Sequence, residues 1–368
     1  MPARPTSPPS VPDSPAALAA QIRGWAHELG FASVGFAGVD LGDAETRLMD
    51  WLAAGRHGEM HYMERHGTSR ARPAELVPGT LSVISVRLPY WPDPQQAADA
   101  QSVLEDPDAA YVSRYALGRD YHKVLRARLQ ALADRIEARV GPFGYRAFTD
   151  SAPVMEVEIA RRAALGWRGK HTLLIHRDAG SLFFLGELYT NLPLPADTAQ
   201  PDHCGTCTRC IDVCPTGAIV APYQLDARLC VSYLTIELDG SIPEPLRPAI
   251  GNRIYGCDDC QLVCPWNRHA QLAVEPDFAV RNGLDRASLT ELFAWREDEF
   301  DTKLAGSAIR RIGHARWLRN IAVALGNAPA AASNIAALAA RADHPSAMVR
   351  EHVAWALARQ HSPDPQHD

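Results

Sequence analysis

All eight cysteines of the chain lie between Cys204 and Cys264, and their spacing constrains that stretch more tightly than any other feature of the sequence. Cys204, Cys207, Cys210 and Cys214, followed by Pro215, form C-x2-C-x2-C-x3-C-P. This is the ferredoxin spacing in which three thiolates wrap one 4Fe-4S cube and the fourth is carried to a second cube. Cys257, Cys260, Cys264 and Pro265 repeat it, but the opening position of the second copy is Ile254, which cannot bind iron. Cys230 is the spare thiolate. Crossing the fourth ligands puts Cys204, Cys207, Cys210 and Cys264 on one cluster, and Cys214, Cys230, Cys257 and Cys260 on the other. Zinc also takes four cysteines, but paired runs of this spacing ending in proline are not a zinc-finger pattern. The stretch is a relay for single low-potential electrons.

Clustered cysteines suit a reducing compartment, because disulfide-stapled secreted chains spread theirs. The 368 residues are 46% hydrophobic and 22% charged, with a net charge of -6, which is ordinary for a soluble protein of two or three compact units. No stretch approaches the ~18 apolar residues of a membrane span. Residues 1–14 are proline-rich, lack the apolar core of an export signal and are expected to be a flexible leader. A cytoplasmic protein is expected, with no membrane contact.

After the leader, Ser14-Pro15 predicts a helix start and Gly30 its end. A second helix near 43–54 and a strand from Ser82 to Tyr90 follow. Leu125, Leu129, Leu132 and Ile136 share one face of a helix over 121–140, which should pack on a sheet. YRAFTD, APVMEVEIARRAALG, HTLLIH and SLFFLGELY read as strand, helix, strand and strand, with Asp178 to Ser181 turning the last two into a hairpin. The fold class is α+β (mixed α/β), in three parts: a catalytic domain over 15–195, a cluster domain over 196–275 and a helical domain over 276–368. Ala324-Leu325 and Ala356-Leu357 recur 32 residues apart, a weak hint of stacked helix pairs.

No glycine-rich dinucleotide loop precedes the cysteines. Candidates for chemistry fall in residues 148–174, FTDSAPVMEVEIARRAALGWRGKHTLL. Asp150 stands at the end of a strand, where it either caps the following helix or acts on a substrate. His122 and His171 are conceivable metal ligands, but a lone histidine is more often structural, and neither is assigned to one.

The double cysteine motif with its substitute Cys230, TDSAPVMEVEIARRAALGWRGKHTLL, SRYALGRDYHKVL at 113–125, CVSYLTIEL at 230–238 and NRIYGCDDCQLVCPWN at 252–267 together resemble the epoxyqueuosine reductase family. The resemblance spans about residues 15–360. It implies a nitroreductase-like cobalamin-binding domain, a two-cluster ferredoxin-like module and a HEAT-like helical domain. It also implies reduction of a tRNA wobble base from epoxide to alkene, an external electron donor such as a flavodoxin or ferredoxin, and a monomeric enzyme. By matching segment, Asp150 is the implied proton donor, its pKa raised by burial once a corrin roofs the site and a tRNA loop closes it. Arg70, Ser113, Asp150, Lys170, His171, Thr172, Gly256, Asp258 and Asp259 are the implied cobalamin contacts.

Between Lys303 and Leu325 the chain has Lys303, Arg310, Arg311, Arg316 and Arg319 and no acid, which reads as a phosphate footprint for the tRNA. Tyr115, Trp167 and Trp317 are candidate stacking surfaces for unpaired bases. Two alternatives stand beside this one: a cobalamin-dependent reductive dehalogenase, and a non-catalytic two-cluster electron carrier.

Overall fold

The computed structural model describes residues 14–150 and 152–361, so the expected leader falls almost wholly outside the described residues. Ser14 and Pro15 open the first helix as their types dictate. Ser14 Oγ accepts the Ala17 N–H at 3.2 Å, and Pro15 takes the first helical position of α1 (Pro15–Glu28). Strands β1 (Ser33–Ala37), β2 (Ser82–Pro89), β3 (Tyr145–Phe148) and β4 (Phe183–Thr190) form one sheet in the order β1-β2-β4-β3. Every pair in it is antiparallel.

Every residue of β2 is buried, because both faces of the sheet are covered. Ile84, Val86 and Leu88 pack with α1 and with Leu125, Leu129, Leu132 and Ile136 of α2 (Tyr121–Val140). Val83, pointing the other way, joins Ile159 of α3 (Glu156–Arg162), Leu174 and Tyr189. Gly35 permits this second layer to close, since a Cβ there would stand 1.8 Å from the Ala163 carbonyl oxygen. The register sets Glu187 opposite Ser85 on one side and Phe148 on the other. A carboxyl is thereby buried within the sheet.

The expected hairpin of HTLLIH with SLFFLGELY does not form. Leu174–Ile175 pairs instead with Trp167–Arg168, and only a single bridge joins His176 to Gly180. Gly180 and Ser181 are held from elsewhere. Asn267 Oδ1 accepts the Ser181 N–H at 2.6 Å, and a Cβ on Gly180 would meet that oxygen at 2.1 Å. The chain is thus turned away, and β4 fills the gap between β2 and β3.

Beyond residue 275 the chain is helical, as expected. Its core is shared with earlier segments: Trp317, Leu318 and Ile321 of α4 (Gly313–Asn327) and Val353 of α5 (Ala347–His361) cluster with Val112, Leu117, Ile254 and Tyr255. A short parallel pairing of Arg253–Tyr255 with Tyr111–Val112 continues the same connection.

The structure removes Arg319 from the expected phosphate footprint and leaves Lys303, Arg310 and Arg311 exposed. Arg319 is 0% exposed, and its guanidinium donates to the carbonyls of Leu234 at 2.8 Å, Leu238 at 2.7 Å and Gly240 at 2.6 Å. Arg310 pairs with Asp301, Arg311 with Asp120, and Lys303 sits over the Trp295 ring. Arg316 donates to the Ile312 and Ile236 carbonyls. The segment lacks acids of its own, but its cations are engaged in space by acids, carbonyls and a ring brought from elsewhere. Trp167 and Trp317 are likewise 0% exposed core residues, and Tyr115 is half-buried among Tyr90, Tyr121, Tyr255 and Phe184.

Replacing Arg319 by Met strands three buried carbonyls, so the urea midpoint should fall by the equivalent of about 3 kcal/mol or more. Arg310→Glu, at an exposed pair, should leave the midpoint close to that of the parent protein.

Candidate active site and cluster module

Cys204, Cys207, Cys210 and Cys264 line one cavity of about 240 Å³, with His171, His203 and Trp266 on its walls. Lys170 braces the loop that brings them there, its Nζ donating to the Gly205 carbonyl at 2.7 Å and the Cys207 carbonyl at 2.9 Å. Burial, and then the neighbouring thiols Cys204, Cys264 and Cys207, push Cys210 up to about 11. A second group forms around Cys260, whose thiol is raised by burial and then by Cys230, Asp258, Cys210 and Cys214. Cys257 and Cys230 flank the same apolar cluster, and Cys257 Sγ donates to Asp259 Oδ2 at 2.7 Å. Ile254, at the position where the motif lacks a cysteine, is 0% exposed in the helical core. Cysteines gathered in two places fit cationic iron-sulfur groups, whose positive charge offsets the repulsion between the thiolates they bind.

Asp258 anchors the second loop. It is 1% exposed and accepts from Tyr111 OH at 2.7 Å, Ser113 Oγ at 2.5 Å and the Arg114 N–H at 2.8 Å. Gly256 has φ 70°, and a Cβ there would stand 2.6 Å from Ser113 Cβ. Asp259 is paired with Arg253. Ser113, Gly256, Asp258 and Asp259 therefore come together around the Cys257–Cys260 loop, whereas Lys170 and His171 lie at the other cysteine cavity. Arg70 and Thr172 are elsewhere again, in a cleft of about 620 Å³ walled by Trp51, Met63, Met155 and Glu156.

Asp150 has φ 50°, a left-handed conformation that aspartate tolerates and that often marks a working site. It does not cap α3. Its backbone N–H donates to Glu156, and its half-exposed carboxylate accepts from Tyr121 OH and lies 3.2 Å from His122 Nε2. His122 Nδ1 lies 2.8 Å from Asp120 Oδ1, and Arg311 Nη2 donates to Asp120 Oδ2 at 2.5 Å. Asp120 is fixed by its place as the N-cap of α2, where its side chain accepts the His122 N–H.

A family model for the epoxyqueuosine reductase QueG matches residues 70–151, and one for a 4Fe-4S double cluster binding domain matches residues 203–267. An epoxyqueuosine reductase of Burkholderia pseudomallei is 61% identical, over 93% of this chain and 92% of the relative. The chain belongs to the epoxyqueuosine reductase family. The Escherichia coli K12 epoxyqueuosine reductase is 56% identical over 93% of this chain and 89% of its own. A crystal structure of an epoxyqueuosine reductase with an epoxyqueuosine-modified tRNA-Tyr stem loop superposes with TM-score 0.86 at 29% identity, covering 94% of this chain and 91% of that one. Membership displaces the dehalogenase and the electron-carrier alternatives and makes the protein an oxidoreductase. No helix among the described residues is long and apolar enough to cross a membrane.

The contacts around Asp150 set opposite protonation tendencies on neighbouring carboxyls. Burial alone raises the Asp150 carboxyl, but hydrogen bonds from His122 and Tyr121 outweigh it and hold the group below the usual carboxylate range. Burial works the same way on Asp120, yet its bonds to His122 and the Arg311 charge hold it down at about 2. Burial and the adjacent Asp150 charge push Glu156 up to about 8, and burial with Glu156 beside it lifts Glu187 well above a normal carboxyl. Asp120, Tyr121, Glu156, Glu187 and Arg311 were not expected at the site. The only sequence signal was GRDYH, where an N-cap aspartate lies two residues before a histidine.

Glu156 keeps its proton in the folded state and loses it on unfolding between pH ~4.5 and 8, so its contribution to stability falls as pH rises through that window. Glu156→Gln keeps the acceptor oxygen for Asp150 and removes the penalty. Its stability relative to the parent, from urea midpoints, should be higher at pH 8 than at pH 5.

Proposed function

We propose that this chain reduces epoxyqueuosine at the wobble position of tRNA to queuosine, with Asp150 as general acid. The observation that carries the proposal is a strained aspartate in a network of proton carriers, in a family member that also holds two groups of four cysteines. Removing an epoxide oxygen as water takes two electrons and two protons, so a reductant and an acid must meet. The stem loop held by the solved relative supports a tRNA anticodon loop as the partner, since unpaired bases are the part of an RNA that side chains read best. Such an enzyme works in the cytoplasm, and we take it to act as a monomer.

Cobalamin, when bound, supplies the low-potential electrons for breaking the carbon–oxygen bonds. The cleft lined by Arg70 and Thr172 suits it: Arg70 Nε is buried there without a partner, and Trp51, Met63 and Met155 offer an apolar wall. Ser113, Gly256, Asp258 and Asp259 would set the Cys257–Cys260 loop, and Lys170 and His171 the Cys204–Cys210 loop. Asp150 delivers a proton to the opening epoxide oxygen. A substrate loop closing over it excludes water and shifts its carboxyl toward the protonated form. Asp150→Asn, assayed by mass spectrometry of tRNA nucleosides, should lose about a hundredfold or more of turnover while keeping its cluster absorption. Full turnover would overturn the assignment.

Electrons come from an external low-potential carrier such as a flavodoxin or ferredoxin. A groove of about 940 Å³ lies against Cys264, lined by Trp91, Leu182 and Leu262, and its edge carries two cations, Arg209 and Arg268, and one acid, Asp212. Both arginines are exposed, and neither has a carboxylate partner among the described residues. An acidic carrier fits such an edge. Charge reversal at both should slow cluster reduction by flavodoxin, most at low salt, and leave reduction by dithionite unchanged.

A further inference from the structure

One acid does not suffice for this chemistry. Converting an epoxide to an alkene breaks two carbon–oxygen bonds, consumes two electrons and forms two oxygen–hydrogen bonds as water leaves. A carboxylic acid carries one proton. Once Asp150 has protonated the opening oxygen it is a carboxylate, and the hydroxyl still bound to carbon needs a second proton to depart.

We infer that His122 recharges Asp150, passing the proton on its Nε2 to Asp150 Oδ2, and that Arg311 then takes over the bared nitrogen. The inference rests on the reading of Asp150 as the acid. His122 Nδ1 faces the Asp120 carboxylate at 2.8 Å and so keeps its own hydrogen. Nε2 is left with two partners that make opposite demands. Asp150 Oδ2, at 3.2 Å, is an acceptor and requires an N–H; Arg311 Nη1, also at 3.2 Å, is only a donor and requires a lone pair. The imidazolium is satisfied by Asp150 and the neutral ring by Arg311. Either state therefore finds its hydrogen bond already in place, and the transfer strands no buried group. Asp120 also fixes the arginine, through Nη2 at 2.5 Å.

The other neighbours are poorer sources. Tyr121 donates to the same Asp150 oxygen and its ring lies 4.1 Å from that of His122, but burial holds its phenol far above the ordinary value. Glu156 carries a proton near neutrality yet binds the Asp150 backbone N–H. The charged groups facing His122 are thus Asp120 from its own helix, Asp150 from the loop after β3, and Arg311 from the segment Ala308–Ile312. Burial lowers the histidine's affinity for a proton, but its bonds to the two aspartates outweigh that and raise it. The recharging step should fail as pH rises through that raised value.

Two measurements test this. In ¹⁵N-histidine NMR of the full chain without substrate, His122 should stay cationic to higher pH than an ordinary histidine, and the titration should move down in Asp150→Asn. In the loaded enzyme, His122→Gln should cut multiple-turnover reduction of epoxyqueuosine stem-loop RNA by about a hundredfold and abolish the alkaline limb of its pH profile. A ring already neutral below pH ~6.5 in the parent protein overturns the inference. So does a His122→Gln enzyme with the parental rate and limb, or a limb removed by Glu156→Gln instead. Full turnover by Asp150→Asn would sink the acid assignment itself, so the two failures are distinct.

Discussion

Eight thiols must be gathered in two small volumes, and the rest of the structure is arranged around that requirement. Bare thiolates in a partly buried site repel each other and resist desolvation, so their loops do not converge by attraction. They are held by hydrogen bonds from distant parts of the chain. Lys170 reaches from the catalytic part to the first loop, and Asp258 ties the second to Tyr111 and Ser113. Arg319 and Asn320, from helix α4, grip the carbonyls of the segment that carries Cys230, Asn320 Nδ2 donating to Thr235 at 2.8 Å and to Ile254 at 2.9 Å. Each brace is a buried polar group whose bonds are satisfied inside the protein, which makes its position unique.

Protons are managed by a different device on another part of the molecule. The sheet register buries Glu187, α3 brings Glu156 to it, and the loop after β3 places Asp150 at the rim with a strained backbone. Low local dielectric separates the behaviour of these carboxyls. Those with hydrogen-bond donors or cations, Asp120 and Asp150, are held toward the carboxylate until a substrate closes over the site, and those facing another acid, Glu156 and Glu187, toward the protonated form. Electrons and protons reach the site by separate sets of groups.

Much of this was legible in the sequence because it is local. The start of α1 and the apolar face of α2 depend on neighbouring residues and came out as expected, and the structure brings Cys230 beside Cys260. What was not legible depends on partners far along the chain. The hairpin expected over 171–189 does not form, with Asn267 holding Ser181 instead, and the acid-free stretch 303–325 loses Arg319 to the carbonyls of 234–240. Asp150 looked like a helix cap or a buried acid. It caps no helix, and its contacts are with Tyr121 and His122, whose proximity only the packing of α2 on the sheet creates.

Arg319 and Asn320 follow the last cysteine by more than fifty positions, yet they clasp the backbone on which Cys230 and Cys257 are mounted. During synthesis every sulfur ligand therefore leaves the ribosome before the helix that locks the second site has been made. On the nascent chain the backbone of the second site lacks these clamps until nearly the whole polypeptide has been made, whereas the first site does not depend on them.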